Sequence, residues 1–138
     1  MKIQDIMSTN IEMLKPTQSV RVAARKMSQL GIGVLPVVTE QGSLVGLITD
    51  RDISCYIVAM GRDPNSTEVQ KCMTTNLITC YDDQAISEAA QLMEVNNVQR
   101  LMVLDRNDIL IGIVSVDDIA FFSRDLAGTV LQSAKATH

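Results

Sequence analysis

The chain has 138 residues, 46% hydrophobic and 20% charged, enough for one domain with a sizeable core or two very small ones that share a core. A formal net charge of −4 and a pI near 4.8 argue against a nucleic-acid backbone as main partner, because phosphate binding needs a basic face. With two Phe, two Tyr and no Trp, the core has to be aliphatic and single-stranded nucleic acid finds no stacking platform.

The opening residues MKIQDIMSTN carry no apolar stretch of signal-peptide type. No segment approaches the length of a membrane span, so a cytoplasmic protein without a membrane partner is expected. Ile11–Leu14 reads as a short extended segment leading into a turn at KPTQS. Ser19 then precedes Val20, Ala23, Ala24, Met27 and Leu30 at helical spacing, and Gly31 and Gly33 stop that helix. Two apolar runs, VLPVV and SLVGLI, flank TEQG, which is hairpin chemistry. After Thr49 the chain turns helical through about Met60, and Pro64 in GRDPNSTEVQ bars continuation of a helix there. Then the series recurs. LITC leads into YDDQA; Ile86, Ala89, Ala90 and Met93 mark a helix that Asn96 and Asn97 stop; LMVL and ILIGIV flank DRND; a last helix runs through about Ser133.

Sliding the chain on itself by 66 residues aligns Met7–Ile53 with Met73–Ile119 without an insertion. Identities fall at Met7/Met73, Thr9/Thr75, Asn10/Asn76, Gln18/Gln84, Ala23/Ala89, Met27/Met93, Gly46/Gly112 and Asp52/Asp118, among others. The chain is a duplicated unit. The fold expected is α/β (α+β): two β-α-β-β-α repeats packed sheet to sheet with pseudo-two-fold symmetry, since neither half alone buries enough surface. The boundaries expected are a first repeat at 1–61, a connector at 62–70, a second repeat at 71–124 and a C-terminal helical tail at 125–138.

The most repeated phrase is GLITDRDI at Gly46–Ile53 and GIVSVDDI at Gly112–Ile119. Thr49 and Ser115 stand at the N-cap of the following helix, where free N–H groups and the positive end of the helix dipole can hold an anion. Asp52 and Asp118, three residues on, could accept two hydrogen bonds from a vicinal diol. The same spacing is also a capping box that needs no ligand. The phrases differ: Arg51 can bring several donors to a phosphate, while Asp117 repels one.

In order and offset, the pieces DIMSTN, SVRVAARKM, GVLPVV and GLITDRDI, then CMTTN, AISEAAQLM, VQRLMVLD and GIVSVDDI, resemble a tandem pair of cystathionine beta-synthase (CBS) domains, a Bateman module. The resemblance covers about Ile3 to Phe121. It implies a regulatory module that binds AMP, ADP, ATP or S-adenosylmethionine in the cleft between the repeats, works as a homodimer and controls a separate protein. It places phosphate on Thr49, Arg51, Arg100 and Ser115 and ribose on Asp52 and Asp118. Adenine falls to Asn10, Ile11, Val34, Leu35, Pro36, Asn76 and Leu77, with Met102 standing where the first repeat has Pro36. The alternative is a scaffold or dimerisation module whose hydroxyl–aspartate phrases are only helix caps, with Phe121, Phe122, Leu126, Val130 and Leu131 of the tail available to a partner. No enzyme is expected, and no catalytic cofactor or metal. His138 is the only histidine, no serine or cysteine has a base beside it, and Gly31–Gly33 lacks the further glycine of a phosphate loop. Cys55, Cys72 and Cys80 are odd in number without metal-site spacing and read as reduced thiols.

Overall fold

A computed structural model describes residues 1–123, and the expected tail at 125–138 lies outside the described residues. The elements run α1 (Val20–Leu30), β1 (Val34–Val38), β2 (Leu44–Thr49), α2 (Asp50–Asp52) continuing as a π-helical stretch (Ile53–Val58), β3 (Thr79–Tyr81), α3 (Ile86–Asn96), β4 (Arg100–Leu104) and β5 (Leu110–Ser115). Residues 116–123 are helical again and form α4. This is the mixed α and β fold expected; the second half has the β-α-β-β-α order, while the first runs α-β-β-α with no strand before α1.

The chain divides into two compact units that are not the two sequential repeats. Among the described residues, one comprises Met1–Asn10, Ile78–Asp105 and 111–123; the other comprises Ile11–Leu77 with Arg106–Leu110. The first ten residues thus pack with the second repeat, and the connector packs with the first. The repeat offset explains how both exchanges are anchored. Ile3 and Val69, 66 positions apart, each sit in a short 3₁₀ turn and are each 0% exposed. The Ile3 N–H donates to the Gln84 carbonyl at 2.9 Å, and the Val69 N–H donates to the Gln18 carbonyl at 2.8 Å.

In the unit that holds β1 and β2, the two strands pair antiparallel, with Val34 opposite Thr49 and Leu35 opposite Ile48. Leu14 bridges in parallel to Val37 at one edge, so the expected strand Ile11–Leu14 contributes a single bridging residue. Thr74 bridges to Leu47 at the other edge. Leu14, Val20, Ala23, Met27, Leu35, Val37, Ile48, Ile57 and Val69 form its core. In the other unit β3, β4 and β5 lie in that order, with β3 parallel to β4, and Ser8 bridges to Ile113. Ile3, Cys80, Ala89, Met93, Leu101, Val103 and Val114 form its core. Both cores are aliphatic, as the shortage of aromatic residues requires.

Local signals account for the element ends. The Ser19 hydroxyl accepts from the Val22 N–H, whereas Ala85 at the matching place caps nothing. Gly31 takes the left-handed conformation that ends α1, and Asn97 takes it after α3, at φ 66° and 53°. Gly33, expected as a second stop, has no left-handed φ and lies beyond the cap that Gly31 already supplies. The TEQG hairpin turns at Gly42 (φ 88°), and its counterpart DRND turns at Asp108 (φ 62°).

The glycine of the repeated phrase is fixed by the exchanged segments. A Cβ on Gly46 would lie 2.5 Å from Met73 Sδ, and one on Gly112 would lie 2.5 Å from Met7 Sδ. The Met7/Met73 identity and the Gly46/Gly112 identity are one packing solution used twice, a thioether laid across a strand with no side chain of its own.

Candidate functional site

Each unit presents one hydroxyl–aspartate station at the junction of a strand and a helix. In the β1–β2 unit, the Thr49 hydroxyl accepts from the Asp52 N–H at 3.0 Å, and Asp52 Oδ2 accepts from the Thr49 N–H at 2.9 Å. In the other, the Ser115 hydroxyl accepts from the Asp118 N–H at 3.1 Å, and Asp118 Oδ2 accepts from the Ser115 N–H at 2.9 Å. Both are complete capping boxes. Each still leaves chemistry over. The hydroxyl protons of Thr49 and Ser115 are not used in the caps, and Asp118 Oδ1 accepts no hydrogen bond among the described residues. At Asp52 both carboxylate oxygens lie 3.3 Å from the Thr74 hydroxyl, which has one proton to offer them.

The two helix tips are otherwise unlike. The Asp50 N–H donates to the Gly33 carbonyl at 2.9 Å, and the Val116 N–H donates to the Gln99 carbonyl at the same distance. At the next residue the tips diverge. The Arg51 N–H donates to the Asp50 carboxylate Oδ1 at 2.8 Å, so the chain's own carboxylate lies on that tip. Asp50 Oδ2 is 2.9 Å from where a Cβ on Gly33 would stand, so a larger residue there would displace the carboxylate. At the second tip Val116 has no carboxylate to offer, and the Asp117 N–H has no acceptor among the described residues.

Arg100, Gln99, Ser115, Val116 and Asp117 line a cavity of about 130 Å³ at this second tip. Arg100 opens β4, is exposed and forms no ion pair among the described residues. Arg51 is likewise exposed. The structure therefore brings Arg100 and Ser115 together in one unit, and Thr49, Arg51 and Asp52 together in the other. Val34 is half-buried beside Thr49 in the strand register.

The residues expected around adenine fare unevenly. Asn76 and Leu77 follow Thr74, whose backbone exchanges two hydrogen bonds with Leu47 of β2, 2.9 and 2.7 Å long. Asn76 is exposed and Leu77 half-buried. Asn10 is exposed at the end of its segment in the unit of Ser115, and Ile11, half-buried, begins the other unit. Leu35 and Pro36 are fully buried. Their side chains belong to the interior, and within Val34–Pro36 only Val34 keeps side-chain surface for a ring.

Charge and burial also mark two thiols. Burial pushes the Cys72 thiol up first, the Asp52 carboxylate second, and Arg62 pulls the other way. Cys80, packed in the core, is pushed up to about 11 by burial. Cys55 is exposed. Among the described residues no group of three or more His, Cys, Asp or Glu could hold a metal, and no helix is long and apolar enough to cross a membrane.

Sequence reasoning passed over Asp50 and Thr74 and read Gly33 only as a helix stop. Asp50 stood inside the quoted phrase, and its difference from Val116 was the available signal; only three-dimensional closeness exposes the pairing with Gly33.

The CBS domain family model matches the chain twice, at residues 3–59 and 68–125. A CBS domain-containing protein of Bacillus subtilis, YhcV, is 38% identical over 131 residues, 94% of this chain and 91% of that protein. The CBS domain pair of protein MJ0100, solved in complex with 5′-methylthioadenosine and S-adenosyl-L-methionine, is 30% identical, with a TM-score of 0.73 over 94% of this chain and 98% of that one. A homoserine O-acetyltransferase of Methanohalobium evestigatum is 36% identical over 118 residues, but they are 23% of that enzyme.

Proposed function

The chain belongs to the CBS domain family, and we propose that it is a non-catalytic regulatory module that binds an adenosyl compound at its hydroxyl–aspartate stations. Leftover bonding capacity at Ser115 and Asp118 carries this reading: a hydroxyl proton, a carboxylate oxygen and the Arg100 guanidinium all stand at one unit's helix tip. The hydroxyl and Arg100 suit a phosphate, and the carboxylate suits a ribose diol. The ligands carried by the MJ0100 pair support the adenosyl class. Regulation then acts by differential affinity of the ligand for two arrangements of the protein, read by a separate partner and by a homodimer mate.

Calorimetric titration with AMP, ADP, ATP and S-adenosylmethionine tests it, with a dissociation constant below millimolar expected for at least one. Replacing Asp118 by Ala weakens that binding about 10- to 100-fold, the worth of hydrogen bonds to a charged group. No uptake of any of the four at millimolar concentration removes the reading.

A second reading, a scaffold without ligand, is favoured by one observation: both capping boxes close without a ligand. It predicts that Asp52→Ala and Asp118→Ala lose melting temperature while no adenosyl compound shifts the transition of the parent protein.

A further inference from the structure

The two stations carry the same phrase, yet their helix tips offer an anion different things. Three N–H groups open each helix. In the helical run of residues 50–58 all three are taken: by the Gly33 carbonyl, by the Asp50 carboxylate at 2.8 Å and by the Thr49 hydroxyl at 3.0 Å. In α4 the first and third are taken in the same way, by the Gln99 carbonyl at 2.9 Å and the Ser115 hydroxyl at 3.1 Å. The second, of Asp117, is unspent among the described residues.

The position after the hydroxyl makes the difference. Asp50 folds back over its own helix tip, and Gly33 leaves it the room to do so. Val116 at the matching place has no group that could imitate this, and the space beside it is a cavity with Arg100 on its wall. Formal charge does not separate the stations. Asp50, Arg51 and Asp52 sum to −1, as do Arg100, Asp117 and Asp118. Placement does. One tip has an anion already on its amide; the other, among the described residues, has an unspent amide and an arginine outside any ion pair, on the wall of a cavity that Asp117 also lines.

We propose that Asp50 is a specificity-determining residue: its carboxylate occupies the place of a ligand's phosphate at the Thr49 station, so that station accepts only nucleosides without an anionic 5′ group. The Ser115 station, with Arg100, takes the phosphorylated ones. The inference rests on the adenosyl-ligand reading and assigns a chemical class to each of its two stations. An incoming phosphate at the Thr49 tip meets like charge at hydrogen-bond range, which disfavours it about tenfold or more. A neutral thioether nucleoside meets no such penalty.

The test is calorimetric titration of the full chain and of two variants, Asp50→Ala and Arg100→Gln, with AMP and with uncharged 5′-methylthioadenosine. The parent protein takes one equivalent of AMP per chain. Asp50→Ala takes two, the second at least tenfold tighter than any second binding by the parent. Arg100→Gln weakens the one equivalent at least tenfold. The affinity for 5′-methylthioadenosine changes less than threefold across all three proteins. Two equal equivalents of AMP on the parent protein, or AMP stoichiometry unchanged by Asp50→Ala, overturns the assignment and leaves the adenosyl reading standing. Failure of all three proteins to bind either compound overturns both. Far-ultraviolet circular dichroism of Asp50→Ala, expected to match the parent, separates loss of the carboxylate from loss of the fold.

Discussion

Adding one methyl group to the repeated phrase, Gly46→Ala, tests whether the thioether laid across the strand fixes the exchanged segment. The new Cβ would stand 2.5 Å from Met73 Sδ, 2.8 Å from its Cγ and 3.2 Å from its Cε, so the side chain has to leave or the segment has to lift from β2. Overpacking of this kind costs about 1–3 kcal/mol. Replacing a glycine at an unstrained position returns about 0.4–1 kcal/mol by restricting the unfolded chain. The net expectation is a loss of about 1–2 kcal/mol, read as a lower urea midpoint at unchanged slope and fixed protein concentration. The three nearest atoms all belong to the Met73 side chain, so Met73→Ala makes room: the double variant is no less stable than Met73→Ala alone, with a coupling of about 1 kcal/mol. At Gly112 the rescue is incomplete. Met7→Ala removes the sulfur there, but the Ser8 carbonyl oxygen, 3.1 Å from the new methyl, stays in the ladder with Ile113. If Gly46→Ala and Met73→Ala add independently, the methionine does not hold the glycine and the packing account is wrong.

Other consequences follow from the thiols and the helix ends. The fold holds Cys80 protonated with its pKa raised from 9.0 to about 11, so its contribution is intact below pH 9. That contribution, about 2 kcal/mol, is lost between pH 9 and 11 as the unfolded chain's thiol ionises; Cys80→Ala therefore flattens the alkaline limb of stability against pH relative to the parent. Asp52→Asn removes a charge that raises the Cys72 pKa, so alkylation of Cys72 by iodoacetamide speeds up at fixed pH, measured by peptide mass spectrometry. Gly31→Ala costs about 1 kcal/mol although nothing lies within 4 Å of the added methyl, because the left-handed φ of 66° alone penalises it. A thermal unfolding scan reads this.

Much of the fold was legible because duplication doubled every signal. Gln18 and Gln84 could be paired by offset alone, and the structure uses both in the same way, since their Oε1 atoms accept from the Lys15 and Tyr81 N–H groups at 2.8 and 2.7 Å. The hairpins, the left-handed stops at Gly31 and Asn97 and the aliphatic cores follow from local chemistry that a sequence displays. What it hid was partnership at long range. Nothing in MKIQDIMSTN says that Ile3 sits in the core of the unit formed by the second repeat, since an exchanged segment keeps the same local pattern as one that stays at home. The stations were legible as residue types but not as states. Thr/Ser-x-x-Asp reads as both cap and ligand site, and only Asp50 on its own helix tip shows that two like phrases have unlike chemistry.

Cap and ligand site need not compete, and Asp118 shows how to separate them. Its Oδ2 closes the cap on the Ser115 N–H at 2.9 Å, and its Oδ1, which accepts no hydrogen bond among the described residues, is the oxygen that the proposed diol would use. Asp118→Asn keeps one carbonyl oxygen that can accept from the Ser115 N–H and turns the other position into a donor. Asp118→Ala removes both. A capping side chain is worth about 0.5–2 kcal/mol, so the Ala variant melts several degrees lower and the Asn variant stays close to the parent. Adenosyl-ligand affinity instead falls in both, about tenfold in the Asn variant, because the charged acceptor is lost in each. Should Asp118→Asn bind as tightly as the parent, the carboxylate is structural and the diol is held elsewhere. Should the Asn variant melt as low as the Ala variant, the negative charge at the positive end of the α4 dipole, rather than the hydrogen bond, stabilises that helix tip.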